Sequence, residues 1–190
     1  MKELSLNILD ITENSVKAES TLTHITINED KQSLVIEIKD NGKGMSKDTL
    51  ASVTDPFYTT RTTRRVGLGI PLFKLAAEQT GGSLIIESKE RGDGSEDHGT
   101  KVVASFFKDH LDFTPLGDIV STVVTLIQGH PEVDFNFTHN TPEGSVNLNT
   151  RLIREVLEDV PLDSYEVICW IRENLDEQYN DLILNSNKKL

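Results

Sequence analysis

Two short stretches of this 190-residue chain have closely spaced glycines, and the first of them begins with a carboxylate. DNGKGM, at residues 40–45, places Asp40 before two glycines, and GLGI follows at residues 67–70. Backbone N–H groups that approach phosphate oxygens closely favour glycine, and Mg²⁺ prefers hard oxygen ligands. The two stretches therefore favour phosphate and Mg²⁺ binding, although the GxxxxGK[ST] pattern of a P-loop is absent from the sequence.

A third candidate lies in the first segment, where apolar side chains recur at helical spacing over residues 4–18. In such a helix Asp10, Asn14 and Lys17 share one side, because residues three and four apart are neighbours. The sequence thus predicts a helix with one apolar side toward a core and one polar side available to a ligand.

The elements that must position these residues can be predicted in outline. Four runs rich in β-branched or alternating residues are predicted strands: 24–28, 34–39, 83–88 and 101–107. The second run ends at Asp40, and a helix is predicted between GLGI and the pair Gly81 and Gly82. A polar loop is expected between the third and fourth runs.

Beyond residue 108 the pattern changes. Thr114 can cap a helix that Gly129 ends, and alternating residues on both sides of TPEG predict a hairpin. Two more helices are expected, the second carrying Trp170 and Ile171 toward a core.

Composition narrows the classes of partner. The chain has a formal net charge of −12, with 36% hydrophobic and 26% charged residues, as in ordinary globular proteins. Nucleic acids and anionic membranes bind positive surfaces, so neither is an expected partner. No apolar run approaches the roughly 18–20 residues of a membrane span and no signal peptide is evident, so we expect a cytoplasmic location. The single cysteine, Cys169, is expected to be a structural thiol.

The first helix, the DNGKGM loop and the later glycines occur in the order seen in the GHKL superfamily, which the chain resembles over residues 1–108. That superfamily contains the Bergerat-fold ATP-binding domains of DNA gyrase, the ninety-kilodalton heat-shock chaperone, histidine kinases and mismatch-repair ATPases. LDITENSVKA resembles its N-box, which implies that Asn14 binds Mg²⁺ and Lys17 contacts phosphate. DNGKGM resembles its G1 box, which implies that Asp40 accepts a hydrogen bond from the adenine amino group.

The remaining boxes imply further contacts with ATP. Gly42, Gly44 and Met45 follow Asp40 in the G1 box, where the glycines let the backbone close on the base. DPFYTTRTTRRVGLGI resembles the stretch from the F-box through a short lid to the G2 box. This match implies nucleotide-binding roles for six residues: Phe57, Thr60, Arg61, Gly67, Leu68 and Gly69. GTKVVASF resembles the last box, in which Thr100 would help to order a water at the adenine edge.

Taken one at a time, these features have simpler interpretations. DNGKG is also a common turn, Asn14 could lie on a helix surface, and the cluster Arg61, Arg64 and Arg65 could be solvated instead of bound to phosphate. Four boxes in the right order favour nucleotide binding over such a coincidence.

The resemblance implies an α+β fold, a two-layer α/β sandwich in which helices cover one face of a mixed sheet. We expect two domains. Residues 1–108 would form the histidine-kinase-like ATP-binding domain, and residues 109–190 a smaller α/β extension with a hairpin and helices, of unknown role.

Asp10 is the candidate catalytic residue. It lies four residues before Asn14, where hydrolysing relatives carry a Glu that orients the attacking water and histidine kinases usually carry Asn or His. Its carboxylate could act as a base. Alternatively, Asp10 could be an acid on the helix surface, or it could bind one of the groups that coordinate the metal. Histidine kinases place an acceptor histidine upstream of the N-box, and we expect none here, because Asn14 lies so near the first residue.

The leading hypothesis is a regulatory or coupling ATPase, in which ATP and Mg²⁺ order a lid at residues 55–66 that a partner protein reads. One alternative is a kinase acting in trans, resembling the anti-sigma serine kinases or a histidine kinase catalytic module. Another is a non-catalytic nucleotide-binding module. The chain is also similar to small ATP-binding proteins that accompany bacterial iron–sulfur redox enzymes such as hydrogenases, which implies a redox enzyme or signalling protein as partner. The oligomeric state is left open.

Overall fold

The computed structural model describes residues 3–53, 68–92 and 97–187 of the chain. Within these ranges the helices are α1 (Leu4–Lys17), α2 (Lys47–Ser52), α3 (Gly69–Gln79), α4 (Ile119–Gly129), α5 (Thr150–Leu157) and α6 (Tyr165–Asn187). The strands are β1 (Leu22–Glu29), β2 (Ser33–Asp40), β3 (Ser83–Lys89), β4 (Gly99–Phe107), β5 (Asp134–Thr141) and β6 (Gly144–Asn149). Among these helices, none is both long and apolar enough to cross a membrane.

The six strands form one mixed sheet in the order β3-β4-β2-β1-β5-β6. Neighbouring strands are antiparallel except β1 and β5, which pair in parallel with Ile25 opposite Phe137. The four strands predicted before residue 108 are all present and extend up to two residues beyond their predicted bounds. The predicted α+β class with a mixed sheet is confirmed.

One face of the sheet is buried under helices. Alternate residues of the central strands, such as Ile25 and Ile36, are fully buried, because successive side chains of a strand lie on opposite faces. The helices α1, α3 and α4 pack against this face and contribute Ile8, Phe73 and Ile127 to a single cluster of buried side chains. The apolar side of α1, predicted from its periodicity, therefore faces the core.

The N-terminus of α1 is bound by the segment that precedes α4. The first two N–H groups of α1 donate hydrogen bonds of 2.9 and 2.8 Å to the carbonyl oxygens of Pro115 and Leu116. The prediction that Thr114 caps a helix is wrong. The carbonyls of Pro115 and Leu116 bind the start of α1, and within the described residues 97–187 no helix begins before Ile119. α4 begins after Asp118, whose carboxylate accepts a 2.8 Å hydrogen bond from the N–H of Ser121.

The last two strands and α6 enlarge the same core. Ile171 and Leu175 of α6 are fully buried, as the helical spacing predicts for Ile171. Trp170 was expected to face the core, and this is wrong, because its side chain is 51% exposed. Adjacent residues of a helix point about 100° apart, so burial of Ile171 turns Trp170 away.

A chain of polar contacts crosses residue 108, the predicted domain boundary. Lys108 Nζ donates a 2.6 Å hydrogen bond to Glu29 Oε1, and Glu29 Oε2 lies 3.2 Å from His139 Nε2. His139 Nδ1 in turn lies 2.8 Å from the Tyr179 hydroxyl. Strands from both predicted domains share one sheet, and the boundary itself stays a prediction.

Candidate functional site

A cavity of about 670 Å³ opens at the end of β2, between α1, the loop that follows β2, and the ends of β3 and β4. We call it the Asp40 cavity. Apolar side chains form part of its described wall: Ile11, Met45, Val53, Ile70 and Val102. Polar and charged side chains form the rest, among them Asn14, Lys17, Asp40, Lys43, Arg91 and Thr100. The lining thus offers apolar surface to a flat group and polar groups to a charged one.

Asp40 is the last residue of β2 and is only 7% exposed. Its Oδ1 accepts hydrogen bonds from the N–H groups of Gly42 at 2.8 Å and Thr100 at 3.2 Å, and its Oδ2 accepts the Ser15 hydroxyl at 2.8 Å. Three donors compensate for burial of the carboxylate and fix its orientation. Because a carboxylate has about four lone-pair sites, one remains for an amino group of a ligand.

Gly42 and Gly44 allow the loop after β2 to approach neighbouring backbone. A Cβ on Gly42 would lie 2.7 Å from the carbonyl oxygen of Ala18. Gly44 has a φ of +67°, and its Cβ would lie 2.0 Å from the carbonyl oxygen of Lys89. Glycine is therefore required at both positions. Gly44 lies on the cavity wall, and Gly42 contributes through its hydrogen bond to Asp40.

Backbone and side-chain hydrogen bonds hold this loop on both sides. The N–H of Lys43 donates to the carbonyl of Ala18 at 2.7 Å, and the N–H of Arg91 donates to the carbonyl of Lys43 at 2.8 Å. His98 Nδ1 lies 2.6 Å from the carbonyl oxygen of Gly42, so this ring nitrogen carries the hydrogen. The segment after β3 thus supports one edge of the cavity.

Thr100 lines the cavity from β4. Its hydroxyl lies 2.8 Å from Ser88 Oγ, which also accepts the N–H of Met45 at 2.8 Å. Ser88 donates its own hydrogen to the carbonyl of Gly99 at 3.1 Å, so Thr100 is the donor in their shared bond. The Thr100 oxygen keeps acceptor sites free for a water, which fits its predicted role.

The polar side of α1 divides between the cavity and its mouth. Asn14 and Lys17 lie on the described cavity wall. Asp10 is exposed and does not belong to that wall. It lies beside the first residue of α3, since a Cβ on Gly69 would come 3.3 Å from the Cβ of Asp10 and 3.9 Å from Nδ2 of Asn14.

The other predicted nucleotide-binding residues belong to the segment before α3. Phe57, Thr60, Arg61 and Gly67 lie outside the described residues. Leu68, the residue before α3, is 44% exposed, and neither it nor Gly69 lies on the described cavity wall.

Several residues at this site were missed by sequence reasoning. Ser15 carried a signal, because a hydroxyl within the apolar stripe of α1 needs a buried partner. Ser88 and His98 carried none, because their contacts depend on how β3 and β4 pair. The same holds for Lys43 and Arg91, two cations on the wall.

Glu13 connects α1 to the residue that follows α4. Its Oε1 lies 2.7 Å from His130 Nε2, and its Oε2 accepts a 3.3 Å hydrogen bond from Lys17 Nζ. Burial alone raises the pKa of Glu13, but hydrogen bonds from His130 and Lys17 outweigh it, so the net shift is downward. Glu13 is therefore ionised at neutral pH beside a cation of the cavity.

The donor set fits a magnesium ion that a nucleotide brings with it. Within residues 3–53, 68–92 and 97–187, no three His, Cys, Asp or Glu side chains gather as metal ligands. Mg²⁺ usually keeps several waters and binds one or two protein groups together with substrate phosphates. The Asn14 amide oxygen on the cavity wall can serve as such a single protein ligand.

Comparison with known proteins identifies the domain. Residues 2–110, more than half of the chain, match the family described as histidine kinase-, DNA gyrase B- and HSP90-like ATPases. The chain belongs to this ATPase family. Family membership confirms the predicted GHKL resemblance and supports ATP binding.

Bacterial kinases and sensors are among the relatives of this ATPase domain. The sensor protein KdpD of Clostridium acetobutylicum is 33% identical over 99 residues, which cover 50% of this chain and 11% of that protein. Sporulation kinase C of Bacillus subtilis is 34% identical over 97 residues, which cover 50% of this chain and 22% of that protein. The chain spans less than a quarter of the length of either relative.

A solved structure shows the same fold over more of the chain. The MutL ATPase domain of Aquifex aeolicus, complexed with ADP, matches with a TM-score of 0.54 at 15% identity. The match covers 83% of this chain and 70% of that one. It therefore includes residues beyond 110, where the family match ends.

Proposed function

We propose that this protein binds Mg²⁺-ATP in the Asp40 cavity and acts as a regulatory or coupling ATPase. The observation that carries the proposal is the buried Asp40 carboxylate, held by three donors on the wall of a cavity, in a chain of this ATPase family. Small-molecule sites typically enclose about 300–1,000 Å³, so a cavity of about 670 Å³ suits a nucleotide.

In this proposal the purine lies against Asp40, which accepts a hydrogen bond from the adenine amino group. Ile11, Ile70 and Val102 supply the apolar wall for the base. A purine that offers a carbonyl in place of the amino group would meet the carboxylate as a second acceptor, which explains a preference for adenine.

The phosphates extend toward Asn14 and Lys17 on α1. Lys17 supplies a positive charge, and the N-terminus of α3, which begins at Gly69 beside Asn14, supplies the N–H groups of Gly69 and Ile70, which have no partner among the described residues. When bound, Mg²⁺ would neutralise phosphate charge, with the Asn14 amide oxygen as its protein ligand. For turnover, Asp10 at the mouth would accept a proton from the attacking water.

The start of α3 offers a surface through which a partner could sense the nucleotide. Leu68, Leu72 and Leu75 follow one another at helical spacing and are 44%, 37% and 49% exposed. Exposed apolar side chains on one helix face favour a protein contact. The lid predicted at residues 55–66 precedes this helix and lies outside the described residues.

Isothermal titration with ATP and Mg²⁺ tests the proposal. The wild-type chain should bind, and Asp40→Asn should weaken binding at least tenfold, about 1.4 kcal/mol, because the amide presents a donor toward the adenine amino group. Asp30→Asn is the matched control, since the Asp30 side chain accepts its hydrogen bonds from Gln32 and Ser33 in the turn between β1 and β2, and Asp30 is not on the cavity wall. Equal affinity in all three proteins would refute the site.

Two further variants separate binding from chemistry. Asn14→Ala should remove the Mg²⁺-dependent part of ATP affinity and spare the Mg²⁺-independent part. Asp10→Asn should stop phosphate release without weakening ATP binding if Asp10 is the base. Unchanged phosphate release would mean that Asp10 is an acidic residue on the surface of α1 and not the base.

A kinase acting in trans is the second candidate, because several relatives are named kinases, and sporulation kinase C matches half of this chain. Incubation with γ-labelled ATP and candidate partners separates the two: label on a partner Ser or His supports the kinase. ATP that binds and stays intact without label transfer supports a non-catalytic module. A redox enzyme or signalling protein as partner, and a cytoplasmic location, stay predictions.

A further inference from the structure

A second concave surface lies between α5 and α6, far along the chain from the Asp40 cavity. This α5–α6 groove has a volume of about 510 Å³ and is walled mainly by aliphatic and aromatic side chains. They are Leu152, Ile153, Val156 and Leu157 of α5 with Val167 and Trp170 of α6. At 1.5 Å per residue the eight residues of α5 extend about 12 Å, which matches about two turns of a partner helix.

The side chains of the groove are open to solvent to an unusual degree. Val156 is 83% exposed, Leu152 is 58% exposed and Trp170 is 51% exposed. At the base of the groove Val167 belongs to the buried core, and Ile153 and Leu157 pack against that core. Leu152, Val156 and Trp170 therefore extend apolar surface from the core out to solvent. Clustered exposed apolar side chains mark interaction sites, whereas single ones do not.

Carboxylates are frequent on the two helices that form this groove. Glu166 belongs to its wall, and Glu173 lies seven residues later on the same side of α6. On α5 and just after it, Glu155, Glu158 and Asp159 are exposed and flank Val156 in the chain.

The arginines of this region are bound to other groups. Arg151 and Arg154 pair with the carboxylate of Asp134 at 3.0 and 2.9 Å. Arg172 donates a 3.1 Å hydrogen bond to the hydroxyl of Ser121 on α4. The five carboxylates named above outnumber these three cations, two of which share the charge of Asp134, so the region keeps a net negative charge.

We propose that the α5–α6 groove docks an amphipathic helical segment of a partner protein, with an apolar stripe flanked by lysine or arginine. The stripe would fill the groove between Val156 and Trp170, as helix-in-groove recognition requires. The flanking cations would pair with the carboxylates of this region, which speeds association and rejects acidic helices.

Charge selects this occupant over two others. A second copy of the chain placed on the groove by two-fold symmetry would bring the same carboxylates together, which opposes association. An anionic phospholipid surface would be repelled by the same carboxylates.

A designed peptide tests the proposal on the full chain. The probe is a peptide of about 14 residues, four turns, with leucines on one side, lysines on the other and no tryptophan. Trp170 is the only tryptophan of the chain, so its emission reports on the groove directly. The expected result is a saturable blue shift that weakens as salt is raised, because salt screens exposed charges.

Variants and a charge-reversed probe decide the outcome. Val156→Ser should weaken binding at least tenfold and Glu155→Gln with Glu166→Gln several-fold, judged by the area and charge removed. Leu111→Ser, at a residue 97% exposed and outside the groove, should change nothing. Both serine variants alter exposed residues, and circular dichroism checks their folding.

Three results would overturn the proposal. The first is equal binding of a peptide in which glutamates replace the lysines. The second is a dimer in sedimentation that Val156→Ser dissociates, which would make the groove a contact between copies. The third is a Trp170 blue shift with phosphatidylserine vesicles at physiological salt.

Discussion

The Asp40 cavity and the α5–α6 groove lie toward different ends of one sheet and differ in their chemistry and in their construction. The cavity presents an oriented carboxylate whose donors, Ser15 and Thr100, lie 25 and 60 residues from it in sequence. The walls of the groove come from two consecutive helices and are mainly apolar. A buried charge needs donors in fixed positions, whereas an exposed apolar groove needs none.

This difference shows how far each surface depends on the sheet. The cavity exists only when β2, β3 and β4 are paired and α1 is docked, because each contributes a wall or a hydrogen bond. The groove depends on the other edge of the sheet, because α5 packs against β5 and α6 packs against β6 and α4. The polar contacts of Glu29, His139 and Glu13 connect the parts of the fold that carry the two surfaces.

The largest effect is expected from a core residue of β5. Phe137 is buried and lies opposite Ile25 in the parallel pair of β5 and β1. Phe137→Ala should lower the free energy of unfolding by about 3–5 kcal/mol, through lost burial and the cavity left behind. Urea unfolding followed by Trp170 fluorescence and by far-ultraviolet circular dichroism measures this, and Leu111→Ala is the exposed control.

The same experiment tests the predicted boundary at residue 108. If the two probes change together, the sheet unfolds as one cooperative unit. If Trp170 fluorescence changes at lower urea while ATP still binds, residues 109–190 form a separate domain and the two surfaces are independent.

A smaller effect is expected from pH at the contact between the two parts. Burial lowers the pKa of His139 below its ordinary value of 6.5, and the charge of Glu29 only partly offsets this. The unfolded chain therefore takes up a proton at this histidine more readily than the folded chain. The contribution of neutral His139 to stability is present above pH 6.5 and is lost as pH falls below that value. The free energy of unfolding should therefore fall as pH drops below 6.5, by no more than about 1.4 kcal/mol per pH unit, the limit for one proton.

Urea unfolding at several pH values measures this slope. His139→Gln should flatten it relative to the wild type, and His110→Gln, at an exposed residue, should leave it unchanged. Equal slopes in all three proteins would mean that His139 keeps its ordinary pKa in the folded chain. The buried contact between the two parts would then carry no pH dependence.

The smallest effect is expected from His130, the residue after α4, which is connected to the Asp40 cavity through Glu13 and Lys17. His130 binds one oxygen of Glu13, and Lys17 binds the other. In His130→Ala, Glu13 should pair with Lys17 through both oxygens and compete with phosphate, which weakens ATP binding by about 0.5 kcal/mol, the size of an exposed ion pair.

A double-mutant cycle on ATP affinity measures this contact. In a Glu13→Gln background, His130→Ala should have no further effect on ATP affinity, because the competing charge is gone. If the effects of the two substitutions were simply additive, the part of the chain after residue 108 would have no influence on the cavity through Glu13.

Much of the Asp40 cavity could be predicted from residue order. Asn14, Lys17, Asp40, Gly44, Met45 and Thr100 all lie on one described wall, because a helix side, a strand end and a glycine loop are local patterns. Asp10 lies beside Gly69 instead, and this separation depends on where α3 docks on α1. Their roles in ATP binding stay predictions that the variants above test.

The sequence by itself determined α1, α3 and the strands β1 to β4, the apolar side of α1 and the ATPase family, but it did not show the short helix α2. These follow from periodicity, glycine positions and the order of motifs, which are properties of neighbouring residues. Only the tertiary structure decided that the carbonyls of Pro115 and Leu116 bind α1, that His98 supports Gly42, and that Trp170 faces solvent. Each of these contacts depends on a partner distant in the chain. Local sequence patterns do not show which distant group will bind a given carbonyl or ring nitrogen, or which side of a helix will be buried.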